Sequence, residues 1–355
     1  MKDYWRKKMI KWGHWEYWNS SIIYVPISPY LLYLMIKSRD LFFFISANPG
    51  IENGGFTLES KWKIQDQMQH KNFPKTALIS KSDTIREVES QLDGFNFPLY
   101  LKPDIGGKGR GVVQIASIKS IRWYHQHCPM NYLVQEKISY SNEIGVFFIK
   151  PPHQQEGYIS GIVAKDYIQL IGNGKQTIEE LLRANPRYFL QLDRLKTENP
   201  ERLNIILNKG YTEIICEIGN HAQGSAFKDC SERISPQLTL LMKELANDLD
   251  GFNFGRFDIR FNSWEELEKG ENFAIIEVNG SGSEPTHIYD SNHSIFFAWS
   301  EIIRHWKAMH TISKAENEKK NRRISIFKGA SLLRNHIKVM KKLDKFSNSI
   351  QINPS

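Results

Sequence analysis

Two stretches decide how the chain is read: Gly255-Arg256-Phe257-Asp258-Ile259-Arg260-Phe261 and Phe273-Ala274-Ile275-Ile276-Glu277-Val278-Asn279-Gly280-Ser281-Gly282-Ser283. Strict alternation in the first predicts a strand with Arg256, Asp258 and Arg260 on one face and Phe257, Ile259 and Phe261 on the other. A sheet with a solvated charged face would explain that alone. The second stretch weakens that explanation, because four apolar residues lead into Glu277 and Asn279 on a single face. Asp258, Glu277 and Asn279 offer only oxygen donors, which a hard Mg²⁺ ion takes together with phosphate oxygens. Arg256 adds a cation suited to a charged transition state.

Upstream, Phe97-Pro-Leu-Tyr-Leu-Lys102-Pro-Asp-Ile-Gly106-Gly107-Lys108-Gly109-Arg110-Gly111 reads as a strand delivering Lys102 into a loop with four glycines in six residues. Such a loop lets backbone N–H groups approach an anion, and Lys108 and Arg110 add positive charge. It lacks the Gly-x-x-x-x-Gly-Lys-[Ser/Thr] pattern of a P-loop, and an ordinary hairpin would account for the glycines alone.

Around these segments the chain has 355 residues and three cysteines, none in a Cys-x-x-Cys pair. A collagen, a disulfide-stapled miniprotein and a wholly disordered chain are excluded, and a reduced cytoplasmic compartment is expected. The net charge of +8 is concentrated: residues 319–345 carry ten Lys/Arg and one acid, and residues 1–20 carry five basic and two acidic residues. Nucleic-acid binding has no other support and is not expected. Residues 1–58 form an aromatic, proline-broken arm with Trp5, Trp12, Trp15 and Trp18 and the apolar run Ile22 to Ile36. The start does not read as a signal peptide. The arm suits either a membrane interface or packing on the domain with its tryptophans buried. From Phe97 to Glu277, short β runs are predicted at Phe97–Lys102, Val112–Ala116, Tyr132–Gln135, Ile144–Lys150, Tyr158–Ala164, Tyr211–Cys216, Phe254–Phe261 and Phe273–Val278. They are separated by helical segments at Thr177–Leu195, Pro200–Asn208 and Pro236–Leu249, with further helices at 59–70 and Ser294–Thr311. The expectation is an α+β body with largely antiparallel sheets. Its divisions are the arm at 1–58, a body at 59–312 and a basic tail at 313–355, the tail suiting an amphipathic helix on anionic lipid.

Taken in order, Lys61, Lys102 with its glycine loop, Gln135-Glu136 with Glu143, Arg256-x-Asp258 and Glu277-x-Asn279 resemble the ATP-grasp superfamily, most closely D-alanine–D-alanine ligase-like members. The resemblance covers roughly residues 59–290. It implies two α/β subdomains clamping ATP, with a hinge near 135–138. Lys61 and Lys102 would touch ATP phosphates, and Gly106, Gly107, Lys108 and Gly109 would belong to a closing flap. Gln135 or Glu136, with Ile138, would hold adenine, and Glu143 the ribose. Asp258, Glu277 and Asn279 would ligate Mg²⁺, as two ions, and Arg256 would steady the acyl phosphate and tetrahedral intermediate. Ser281, Gly282, Ser283 and His287 lie where the family binds its carboxylate and amine substrates. Lys165 or Lys175 is a further phosphate lysine, with Lys165 favoured on its strand.

The pattern from Trp15 to Asp290 is similar to a bacterial group labelled sugar-transfer-associated ATP-grasp proteins, which implies a cell-envelope or sugar-linked substrate. The arm stands where D-alanine–D-alanine ligases carry a Rossmann-like domain. A carboxylate–amine or carboxylate–thiol ligase is the expected activity; an ATP-grasp kinase and a non-catalytic nucleotide-binding membrane adaptor are the alternatives. His221, His293, Tyr289 and Asp290 are further candidates for the acceptor pocket, against a structural role.

Overall fold

The computed structural model describes residues 2–68, 71–154, 156–216, 219, 224–320 and 322–352. Two antiparallel sheets organise it. The first contains β1 (Thr76–Ile79), β2 (Leu99–Pro103), β3 (Val113–Ile115) and β4 (Tyr132–Glu136) in the order β1-β4-β2-β3. The second contains β5 (Asn142–Ile149), β6 (Tyr158–Asp166), β9 (Ala226–Asp229), β10 (Phe254–Phe261) and β11 (Phe273–Asn279) in the order β11-β10-β5-β6-β9. A hairpin of β7 (Ile168–Ile171) and β8 (Thr212–Cys216) extends from the second. This is the α+β architecture the residue patterns predict.

Each sheet buries its apolar face under helices. Leu99, Leu101, Tyr132 and Val134 of the first pack with Tyr124 and Ile121. Val146, Phe148, Phe257, Ile259 and Ile275 of the second pack against Leu238, Met242 and Leu245 of the helix Pro236–Asn247. Burying such side chains contributes roughly 1.5–3 kcal/mol each, so these faces fix which way the charged alternates point.

The arm packs on the body through the inward side of its helices. Its helices are α1 (Lys2–Gly13), α2 (Ser20–Tyr24) and α3 (Ser28–Ser38). Ile23 and Ile27 pack with Ile288, Ala298 and Ile302, and Leu34 joins Phe43, Phe147, Phe254 and Met309. Trp15 and Trp18 turn inward, whereas Trp5 and Trp12 stay exposed. Asn48 ties the arm's end to the second sheet. Its side-chain amide donates to the carbonyls of Gly54 and Phe254, and its Oδ1 accepts from the N–H groups of Asn253 and Phe254.

Two expected helices are corrected. The helix expected over Thr177–Leu195 is three pieces, Ile178–Ala184, Pro186–Phe189 and Leu192–Glu198. Asn185 leaves helical geometry ahead of Pro186 and caps the next piece, as a residue before proline tends to do. Pro200–Asn208 holds only the 3₁₀ turn Glu201–Asn204. The boundary at 312 falls inside α6 (Ile295–Lys319), because nothing breaks that helix before Lys320; here α4 is Lys61–Met68 and α5 Pro236–Asn247. The tail itself is α7 (Ile326–Ile352), and its second half is not a free basic helix. Leu343 and Phe346 are buried, Phe346 against Trp123 and Tyr124 of the first subdomain.

Candidate active site

Asp104 brings the two lysines of the first subdomain together. It follows Lys102 and Pro103 at the end of β2, and its carboxylate accepts from the Ser60 hydroxyl and the Trp62 N–H at the start of α4. Its carbonyl accepts the Lys61 N–H. A carboxylate there satisfies donors that the first helical turn leaves open. Lys61 Nζ then donates to the Gly106 carbonyl at 2.5 Å and lies 3.6 Å from Glu277. Lys102 Nζ donates to Gln135 Oε1 at 2.9 Å and to the Ile276 carbonyl at 3.2 Å. Lys102 thus crosses from the first sheet to β11 of the second, and Lys61, at the start of α4, faces Glu277 of the same strand. Burial lowers the Lys102 ammonium to about 8, although Glu277 opposes the shift.

On the second sheet, register makes the cluster. Across β10 and β11, Arg256 pairs with Asn279 and Asp258 with Glu277. Across β10 and β5, Asp258 pairs with Gly145 and Arg260 with Glu143. Arg256 grips Asp258 with two parallel bonds, at 2.8 and 3.1 Å. Lys165 Nζ lies 2.8 Å from Glu143 and 3.4 Å from Asp258. Gly145 leaves the room: a Cβ there would stand 2.9 Å from Arg256 Cδ and 3.0 Å from Asp258 Oδ1. Burial alone would raise the Asp258 carboxyl, but Arg256 and Lys165 outweigh it and hold it below the ordinary carboxylate range. Glu143 behaves likewise, with burial opposed by Lys165 and Arg260.

The glycine loop uses left-handed backbone at Lys108, Gly109 and Gly111, with φ of 59, 71 and 69°. It lies under α7. A Cβ on Gly106 would meet Leu343 Cδ1 at 2.7 Å, Arg110 pairs with Asp344, and the Gly111 N–H donates to Ser347 Oγ at 2.7 Å.

Beyond Asn279, the loop Gly280–Ser283 is fixed by the arm. The N–H groups of Ser281 and Gly282 donate to the carbonyls of Gly54 and Gly55. Ser281 Oγ is buried without a hydrogen-bond partner among the described residues, and Ser283 Oγ donates to the Gly280 carbonyl. Glu284 accepts from Tyr24 of the arm at 2.6 Å and from Tyr289 at 3.0 Å, and its carbonyl lies 3.5 Å from Arg256 Nη1.

Lys61, Lys102, Gln135, Glu143, Lys165, Arg256, Asp258, Glu277 and Asn279 thus converge where the two sheets meet. Several candidates do not join them. Glu136 alternates away from Gln135 and accepts from the Asn96 N–H. Ile138 contributes its carbonyl to Arg260. Lys175 is exposed in a turn. His287 lies apart from them, buried with Nε2 on Glu301 and its ring against Gly161. His293 bonds Asp229, and the Asp290 carboxylate accepts from the Asp229 and Asn292 N–H groups. His221 lies outside the described residues. Residues that sequence reading missed are Asp104, Gly145, Tyr167, Arg260 and Tyr24. Arg260 stood on the right face of its strand and could have been found by alternation; Tyr167 is brought to Glu143 only by the fold.

The donors Asp258, Glu277 and Asn279 fit a hard cation held by two carboxylates and by phosphate oxygens. No group of three or more His, Cys, Asp or Glu side chains that could hold a metal ion gathers among the described residues.

No family model and no curated protein matches the chain. Solved structures do resemble it. The VanG D-Ala:D-Ser ligase from Enterococcus faecalis is 10% identical, over 73% of this chain and 64% of that one, with a TM-score of 0.43. The D-alanine–D-alanine ligase from Bacillus anthracis is 11% identical, over 73% and 68%, with a TM-score of 0.40. A bifunctional glutathione synthetase from Pasteurella multocida is 11% identical, over 76% and 38%, with a TM-score of 0.37. The chain therefore spans just under two thirds of the VanG ligase's length. At these values the likenesses stand beside the geometry and carry no part of the argument.

Proposed function

We propose that the chain is an ATP-grasp ligase that joins a carboxylate to an amine in the cytoplasm. One observation carries this reading: Lys102 from the first sheet and Lys61 from the start of α4 both reach the strand that bears Glu277 and Asn279, beside the Arg256–Asp258 pair. Two cations facing oxygen donors across a seam suit a polyphosphate with its accompanying ion.

In this reading ATP lies between the sheets with its terminal phosphates toward Lys61 and Lys102, and the N–H groups of the loop at 106–109 cover them. Asp258, Glu277 and Asn279 would hold Mg²⁺, which when bound supplies positive charge to the phosphate oxygens. A carboxylate oxygen of the first substrate attacks the γ-phosphorus in line. The bond to the β,γ-bridging oxygen breaks, and ADP leaves with that electron pair. The resulting acyl phosphate is attacked at carbon by a neutral amine, and Arg256 offsets the charge on the tetrahedral oxygen. Phosphate departs with the C–O pair, and the amide nitrogen loses its proton to solvent. Gln135 and Glu143 belong to the nucleoside end, Lys165 to the phosphate end, and Ser281, Gly282 and Ser283 to the acceptor end. No side-chain nucleophile is needed.

Screening for ADP release against amino acids, peptides and aminated sugars tests the proposal. Release that requires an acid and an amine together supports ligation. Release with a single hydroxylated acceptor, and no amide product, would replace ligation with phosphoryl transfer.

A further inference from the structure

The arm carries a second apolar face that the fold does not use. Ile23, Ile27 and Leu34 point inward, while Ile22, Val25, Leu32, Tyr33 and Ile36 point outward, at helical spacing. The outward set is more than half exposed throughout, reaching 65% at Val25 and 66% at Ile36. In α1, Trp5, Met9 and Trp12 repeat the pattern beside Lys2, Lys8 and Lys11. The Trp18 indole donates to the Trp12 carbonyl at 3.3 Å and joins the two halves of the arm. Contiguous apolar surface of this kind marks a docking face.

Charge indicates what docks there. Lys37 lies over the Tyr33 ring at the end of the stripe, 5.5 Å from its centroid. Gly329 of α7 packs against the Phe42 ring, which brings the start of the basic tail, with Lys320, Arg323 and Lys328, beside the end of the arm. Phe327, 89% exposed, projects from the same turn. Tryptophan and lysine flanking an apolar stripe suit the boundary between lipid headgroups and acyl chains.

We infer that the outward face of α2–α3, with the exposed residues of α1 and the start of α7, docks the protein on an anionic phospholipid surface. Ser20–Ser38 is long and apolar enough to cross a bilayer by length and composition. It lies in the interface instead, because Ile23, Ile27 and Leu34 are committed to the body and the Trp299 indole donates to the Ile23 carbonyl at 2.9 Å. This inference does not depend on the ligase reading, since none of its residues belongs to the candidate active site.

Flotation of the full chain with vesicles tests it. One set is equal parts phosphatidylglycerol and phosphatidylcholine, the other phosphatidylcholine alone; the proteins are wild type and the triple variant Val25→Ser/Leu32→Ser/Ile36→Ser. Wild type should bind the anionic vesicles about ten-fold or more tightly than the neutral ones, and the variant should lose about ten-fold or more, with unchanged thermal unfolding. Equal binding by the variant, or equal binding to neutral vesicles, overturns the inference. So does a wild-type dimer that ignores vesicles and that the same substitutions disperse.

Discussion

Lys102 Nζ, on β2 of the first sheet, lies 3.2 Å from the main-chain carbonyl of Ile276 on β11 of the second. That bond holds a cation at the seam between the two sheets, one residue from Glu277. The ammonium is buried, and burial brings it down to about 8. The affinity for an anionic nucleotide should therefore depend on pH in an ordinary laboratory range. Below about 8 the folded protein holds Lys102 charged; above it the charge is lost, and KM for ATP should climb as pH rises from 7 to 9. Lys102→Arg should flatten that profile, because a guanidinium stays charged. The folded state also binds fewer protons than the unfolded chain between about 8 and the ordinary lysine value, so stability without nucleotide should rise across that window.

Acid should unfold the protein partly through His305. Its Nδ1–H donates to the Glu301 carbonyl, and its Nε2 lies 2.9 Å from the Ser160 hydroxyl. Burial pushes its pKa down to about 3. Between the ordinary value of 6.5 and about 3 the unfolded chain takes up this proton and the folded one does not. Stability should thus fall as the pH is lowered through that window, by up to about 1.4 kcal/mol per pH unit from this group. Denaturant titrations of wild type and His305→Gln at pH 7 and 5 measure it, and the variant should lose less between the two.

Asn48→Ala should detach the arm. The substitution leaves the N–H groups of Asn253 and Phe254 without their acceptor and removes two donated bonds. Buried groups left unsatisfied cost about 1–3 kcal/mol each, so a loss of roughly 3 kcal/mol or more in unfolding free energy is expected.

Phe346→Ala should loosen the glycine loop. Phe346 is buried among Trp123 and Tyr124, and Gly111 packs against its ring. Truncating a buried phenylalanine costs about 3–5 kcal/mol. Trypsin should cut faster at Lys108 and Arg110 in the variant, under conditions where the rest of the chain stays intact.

Much of the sheet architecture was legible because alternation is a local signal. Phe254–Phe261 stands at the bounds that alternation gives, and Phe273–Asn279 only one residue longer. The strands Thr76–Ile79, Ile168–Ile171 and Ala226–Asp229 were missed; four residues are too few for a period to show. In the site, Asp258 and Glu277 were readable as residues on strands, but their direct pairing is a matter of register between strands. His287 misled because a histidine after a Ser/Gly loop looks the same in sequence whether it faces a ligand or a buried glutamate. The tail misled for the opposite reason. Its charge run described the exposed face of α7, while Leu343 and Phe346, spaced among lysines, do the packing.

Titration of ATP with Mg²⁺ into wild type and Glu277→Gln tests the central claim most directly, because Glu277 is only partly buried and its recorded ion pair, with Lys61, is loose at 3.6 Å. The account predicts that the variant keeps its thermal unfolding temperature and binds the nucleotide about ten-fold or more weakly, as expected for loss of one charge-assisted contact. Equal affinity for the two proteins would contradict it.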